Sequence, residues 1–193
     1  MISDISCVIL SGGKSSRMGE DKSLLPFGKY STLIEYQYAK YTNIFSHVYI
    51  SSKTNKFNFD VEIIYDNNKN LSSPMVALSS ILESIKTNKV FIISVDTPLI
   101  KCDTIDRLIN KSIDCDIVIA KDSDKTHNLC GVFSRSLLPL INNMITIDNH
   151  RINGLIKNSN SSCIVKFDDA KQFININNKN DYKEALYIIK NYI

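Results

Sequence analysis

Apolar runs of strand length alternate with segments of helical period along the whole chain, and this alternation constrains the fold more than any other feature. Ile5–Leu10 and Val90–Val95 are nearly continuous apolar runs, as strands buried on both faces are. His47–Ser51, Val61–Tyr65, Asp116–Ala120, Cys130–Ser134, Cys163–Phe167 and Phe173–Ile176 are further strand candidates. Between them lie helix signals. Thr32 and Glu35 stand at capping-box spacing before Leu33, Ile34 and Tyr38. Ser73 and Pro74 read as N-cap and first residue of a helix reaching about Lys86. Asp103 caps a helix to about Lys111, and Leu137–Met144 and Ile152–Lys157 read as short helices. Asn178 caps a terminal helix from Lys179 to about Ile189. The pattern predicts an α/β fold: a three-layer, mostly parallel, Rossmann-like sheet with helices on both faces, in a single domain over 1–193.

The 193 residues suffice for one sizeable core, and 44% hydrophobic with 22% charged residues excludes disordered, collagenous and coiled-coil classes. No apolar run approaches the ~18 residues of a membrane span. Asp4 stands where a secretory signal carries Lys or Arg, so a soluble, cytoplasmic protein is expected, with no membrane partner. The net charge of +3 comes from Lys scattered among Asp rather than from a basic stripe. That argues against nucleic acid and suits small anionic substrates. The five cysteines, Cys7, Cys102, Cys115, Cys130 and Cys163, are odd in number and contain no C-x-x-C pair. Buried or half-buried free thiols in a reducing compartment are the expectation.

In open α/β sheets ligands bind at the carboxyl ends of strands, and two such ends carry chemistry here. The first is Leu10-Ser11-Gly12-Gly13-Lys14-Ser15-Ser16-Arg17-Met18-Gly19, continuing to Asp21-Lys22 and Leu24-Leu25-Pro26. Gly12 and Gly13 let N–H groups point inward as an anion nest, and Arg17 and Lys22 add fixed positive charge. The composition suits a polyphosphate; its alternative is a solvated Gly/Ser turn. A P-loop is excluded because the position that needs its first Gly holds Val8, and no G-x-G-x-x-G is present. The second end is Asp96-Thr97-Pro98, where Asp96 reads either as a ligand for a divalent metal such as Mg²⁺ or as a turn residue. A phosphate loop on a neighbouring strand end favours the metal.

The stretch from Leu10 to Leu25, L-S-G-G-x-S-S-R-M-G-x-D-K-x-L-L, resembles the signature of nucleotidyltransferases that transfer an NMP group to an acceptor phosphate. Within that superfamily, with its nucleotide-diphospho-sugar transferase-like fold, it most resembles the molybdenum cofactor guanylyltransferases (MobA-like nucleotidyltransferases). Ser94–Ile100 resembles their D-x-P segment, and His127, within Lys125–Asn128, a D-x-H-P-like turn before a strand. Phe173–Asn177 with Asn178 and Asp181 resembles a late F-x-N-x-N segment.

The resemblance implies transfer of GMP from Mg-GTP to the terminal phosphate of molybdopterin (or Mo-molybdopterin), with release of pyrophosphate. It implies nucleotide contacts from Leu10, Ser11, Gly12, Gly13, Lys22, Ser51, Asp66 and Asp96, with Arg17, Lys22 and Asp96 catalytic. Asp96 would hold Mg²⁺, and Asn175 and Asn177 would orient metal or acceptor. It also brings an accessory GTP-binding protein and molybdoenzymes as partners. The sequence departs from the pattern in places. Ser11 replaces an Ala, Ser51 replaces an Asn, and Ser73-Pro74-Met75-Val76-Ala77 lacks both glycines of G-P-L-x-G. A cytidylyl or other NMP transferase acting on molybdopterin or another phosphorylated acceptor would share the loop and Asp96. A non-catalytic nucleotide-binding regulator would keep the loop without turnover. Acceptor specificity is expected within 122–151.

Overall fold

The computed structural model describes residues 1–12, 19–66 and 73–192. Its elements in chain order are β1 (Ile5–Leu10), α1 (Leu33–Thr42), β2 (Val48–Ser51), β3 (Glu62–Ile64), α2 (Pro74–Ser84), β4 (Lys89–Ser94), α3 (Cys102–Lys111), β5 (Ile117–Lys121), β6 (Thr126–Ser134), α4 (Leu138–Thr146), α5 (Ile152–Asn158), β7 (Ser162–Lys166) and α6 (Lys179–Tyr192). The strands form one seven-stranded sheet in the order β3-β2-β1-β4-β6-β5-β7. Every pairing is parallel except the two made by β6, which runs antiparallel to β4 and β5. The two most continuous apolar runs are the adjacent strands β1 and β4, in register from Ile5↔Lys89 to Leu10↔Ser94.

Strand side chains alternate between the two faces, and both faces are covered. Cys7, Ile9, Phe91, Ile93, Val118 and Val132 join a core with Leu33, Ile34 and Tyr41 of α1, Ile105 and Leu108 of α3 and Ala185 of α6. Val8, Val90, Ile92, Ile117, Ile119 and Phe133 pack with Met75, Leu78 and Ile81 of α2, Ile141 and Met144 of α4 and Ile152 and Leu155 of α5. Two-sided burial is why these strands read as unbroken apolar runs. β1 connects through α1 to β2 on one side while β4 lies on its other side. The connections therefore diverge between β1 and β4, and their carboxyl ends open the crevice where such sheets bind ligands.

Local caps form where the sequence places them. Thr32 Oγ1 accepts the Glu35 N–H, Ser73 Oγ the Val76 N–H, and Asn178 Oδ1 the N–H groups of Asn180 and Asp181. Other expectations are corrected. Asp103 lies inside the first turn of α3, whose N-cap is Lys101. Phe173–Ile176 is no strand: a short 3₁₀ turn, Ala170–Phe173, passes into extended chain held to Asp96 by the Ile176 N–H at 2.8 Å. β6 begins at Thr126, so His127 is a strand residue rather than part of a preceding turn. The free-thiol expectation fails for two cysteines, because Cys115 and Cys163 form a disulfide between β7 and the residues leading into β5. In the β5–β7 pairing Cys163 stands opposite Val118, close enough to the residues leading into β5 for its Cα to lie 6.2 Å from that of Cys115. Cys7, Cys102 and Cys130 are free. Among the described residues, no helix is long and apolar enough to cross a membrane.

Candidate active site

At the crevice Leu10 pairs with Ser94 on one side and Ser51 on the other. The ladder continues past the strands, with the Ser11 N–H donating to Ser51 O and the Val95 N–H to Leu10 O. Two clefts open beyond it. The first, about 190 Å³, is lined by Leu10, Gly12, Ser51, Ser52, Lys53 and Asp66, and by Ser73, Pro74 and Ala77 at the start of α2. The second, about 270 Å³, is lined by Asp96, Thr97, Asn175 and the 125–130 stretch of β6 and the residue before it. Ser94 and Leu129 wall both. β6 has room to supply this wall because its pairing with β5 shifts from Ile119↔Gly131 to Ala120↔His127, taking Asn128, Leu129 and Cys130 out of that ladder.

Lys22 is carried into the second region by a short 3₁₀ turn, Lys22–Leu24, capped by Asp21. Its Nζ lies 3.3 Å from Asp96 Oδ2, donates to Ile176 O at 2.7 Å, and reaches Asn177 Oδ1 at 3.4 Å. Thr97 Oγ1 donates to Asn175 Oδ1 at 2.7 Å. Four residues singled out in three separate stretches of sequence, Lys22, Asp96, Asn175 and Asn177, thus meet in one place. Ser51 and Asp66 line the first cleft, and burial raises the Asp66 carboxyl above its usual range against the pull of Lys53. Leu10 and Gly12 line it too, and among the described residues nothing lies within 4 Å of where a Cβ at Gly12 would sit. Ser11 lies behind: its hydroxyl is buried and, among the described residues, has no hydrogen-bond partner. Gly13 and Arg17 lie outside the described residues.

The groups that hold the Asp96 loop lie outside every motif in the sequence. Gln37 Nε2, on a fully buried side chain of α1, donates to Val95 O at 2.6 Å. Lys40 Nζ donates to Pro98 O at 3.2 Å and to Ile100 O. Burial pushes the Lys40 ammonium down to about 8. A polar residue in an amphipathic helix ordinarily reads as solvent-facing, so neither residue carries a sequence signal. Ser52, Lys53 and Leu129 were missed for want of a motif.

In the second cleft His127 stacks on Phe173, ring centroids 4.2 Å apart, and its Nε2 lies 2.9 Å from Asp122 Oδ2. Burial lowers the His127 ring below its ordinary range, though Asp122 pulls the other way. Burial would raise Asp122, but the Lys125 and Asp124 N–H groups and the His127 ring outweigh it and hold the carboxyl at about 2.

Among the described residues no three His, Cys, Asp or Glu side chains converge on a metal position. The donor set near Asp96 is one partly exposed carboxylate with two amide side chains close by. That suits Mg²⁺, which binds through one or two carboxylates and completes its shell with water and phosphate.

A lysine set against a carboxylate at the diverging strands of an α/β sheet suits a nucleotidyltransferase. The chain belongs to the MobA-like NTP transferase family, whose domain model matches residues 7–162. A molybdenum cofactor guanylyltransferase of Helicobacter pylori strain G27 is 33% identical, the match covering 98% of this chain and 96% of that one. One from Campylobacter jejuni strain 81116 is 36% identical, over 95% and 96%. The solved structure of molybdopterin-guanine dinucleotide biosynthesis protein A from Archaeoglobus fulgidus superposes with a TM-score of 0.80 at 19% identity, over 96% of this chain and 99% of that one, a likeness of fold.

Proposed function

We propose that this nucleotidyltransferase transfers GMP from Mg-GTP to the terminal phosphate of molybdopterin or Mo-molybdopterin, releasing pyrophosphate. The observation that carries the reading is two clefts sharing the wall Ser94–Leu129, with Asp96 and Asn175 lining the second and Lys22 reaching Asp96. An acceptor phosphate oxygen attacks the α-phosphorus while the bond to pyrophosphate breaks, which needs two anions held in line and the developing charge neutralised. The first cleft takes the nucleoside, with Ser51 and Asp66 as polar contacts and Leu10, Ser11 and Gly12 contributing backbone. Lys22, with Gly13 and Arg17, neutralises the triphosphate. Asp96 holds Mg²⁺, which when bound shields the phosphate charge, and Asn175 and Asn177 orient the metal or the acceptor. Lys125, His127 and Asn128 face the acceptor side. The same reading makes molybdoenzymes the recipients of the product and the cytoplasm the place of reaction.

The test is a thermal-shift panel with GTP, CTP, ATP and UTP, each with and without Mg²⁺. A ligand at a hundred times its Kd stabilises by ~2.7 kcal/mol, or about 5–11 °C for a domain of this size. A Mg²⁺-dependent shift with GTP alone, followed by molybdopterin-dependent pyrophosphate release, is expected. A CTP preference replaces the reading with cytidylyl transfer. Nucleotide binding without pyrophosphate release makes the protein a regulator.

A further inference from the structure

Ser73 lies on the wall of the first cleft, at the point where the family-like pattern carries glycine. Its Oγ accepts the Val76 N–H at 3.2 Å, the bond of an ordinary N-cap. The same oxygen lies 3.1 Å from His150 Nδ1, and His150 Nε2 lies 3.0 Å from Asp148 Oδ1. The end of α4 makes this arrangement. Asp148 takes the left-handed conformation at φ 59°, and the Asn149 N–H closes the turn onto Met144 O. The chain is thereby returned toward the start of α2, against which α4 packs through Ser79 and Asn142.

The hydrogen count follows from chemistry. A carboxylate only accepts, so His150 Nε2 carries the proton given to Asp148. In the neutral ring Nδ1 is then bare, and the Ser73 hydroxyl donates to it. One lone pair of Oγ takes the Val76 N–H. The other faces no donor from these partners, and Ser73 offers the cleft an acceptor.

We infer that Ser73, held in this state by His150 and Asp148 as positioning residues, is a specificity determinant of the nucleotide cleft, its Oγ accepting a hydrogen bond from a donor group of the nucleoside. This rests on the first cleft being the nucleoside pocket. Ionised phosphate oxygens only accept and gain nothing from such a group. Two parts of a guanosine nucleotide donate, the N–H groups of the base and the ribose hydroxyls, and both satisfy the same chemistry.

The experiment measures Kd by calorimetry, with Mg²⁺, for GTP and four analogues that each lack one donor: ITP, N1-methyl-GTP, 2′-deoxy-GTP and 3′-deoxy-GTP. Wild type is compared with Ser73→Gly and His150→Phe. Gly serves nearly as well as Ser at an N-cap, so Ser73→Gly keeps α2, and melting without nucleotide verifies it. Ser73→Gly is expected to bind GTP about five- to tenfold more weakly, the worth of one net hydrogen bond. It should lose the same factor from discrimination against the one analogue that lacks the donor, ITP or N1-methyl-GTP for a base contact and a deoxy form for a ribose contact. His150→Phe frees the hydroxyl to rotate and is expected to weaken that same ratio alone. Unchanged ratios for every analogue in Ser73→Gly, with wild type binding GTP, overturn the role of Ser73 and leave the nucleotide reading standing. A wild-type protein that binds no nucleotide overturns both.

Discussion

Lys22 ties three distant stretches of chain together, touching Asp96, the carbonyl of Ile176 and the side chain of Asn177 from a short capped turn. Its pair with Asp96 is partly solvated, with side chains 16% and 23% exposed, so its contribution to folding is at most about 1 kcal/mol. In the proposed mechanism its value lies in preorganised charge, which at such sites is worth about 10²–10³ in rate. Lys22→Ala and Asp96→Ala should therefore each lose most turnover at saturating Mg-GTP while melting close to wild type; wild-type rates would remove either residue from the chemistry. The buried His127–Asp122 pair makes the opposite kind of prediction, about stability. The folded-state ring of His127 is lowered, so below about pH 6.5 the unfolded chain takes up a proton the folded one refuses, and stability falls with pH. Asp122, at about 2 in the folded state, adds a second loss as pH falls from about 4 toward 2. Urea unfolding from pH 8 to 3 should show the first decline in wild type and not in His127→Gln. Lys22 and Asp96 are legible in the sequence as a cation in a Gly-rich loop and a carboxylate at the end of a buried strand, whereas Asn175 and Asn177 are legible only through the family-like late segment. His127 was legible as a residue but not as a strand residue, since its burial comes from Phe173, far along the chain.

At the scale of elements, α1 is both a crossover and the clamp of the Asp96 loop. Gln37 and Lys40 stand at i and i+3 on one helical face, and between them they satisfy the carbonyls of Val95, Pro98 and Ile100. Lys40→Met leaves two loop carbonyls without their donor, for a cost of about 1–3 kcal/mol in denaturant unfolding, and should weaken Mg²⁺-dependent turnover through the displaced loop. Its pH behaviour separates this from lost packing. The folded-state ammonium titrates near 8 while the unfolded one holds its proton to ~10.4, so wild-type stability gains from pH 8 upward a contribution that Lys40→Met lacks. The stretch Phe173–Ile176 shows why element reading failed where it did. Its apolar alternation is that of a strand, yet Phe173 and Ile176 are buried as a strap, with Ile176 giving its N–H to Asp96 and its carbonyl to Lys22. Alternation reports which side chains are buried, and a strap across a site meets that condition as well as a ladder does.

For the whole molecule, strand–helix alternation was enough to specify a layered, mostly parallel sheet, and the positions of β1 and β4 placed the crevice. The reversal of β6 was also present in the sequence: only residues 122–125 separate β5 from β6, too few for a parallel crossover. A strand taken to start at Cys130 lies four residues beyond its true start at Thr126, which hides the hairpin. The Cys115–Cys163 link was not legible at all, since an odd set of widely spaced cysteines carries no pairing information and only the β5–β7 register brings these two together. That link yields a prediction about the assembled fold. It joins residues 48 apart, and loop-closure entropy assigns such a cross-link about 4 kcal/mol. Dithiothreitol, or Cys115→Ser with Cys163→Ser, should lower the urea midpoint and raise the m-value, because the released chain exposes more surface when unfolded. β7 is the edge strand, three strands from β4 and the crevice, so the nucleotide affinity of the folded protein should not change on reduction. A fall in nucleotide affinity below the unfolding transition would show instead that the far edge of the sheet and the site move together.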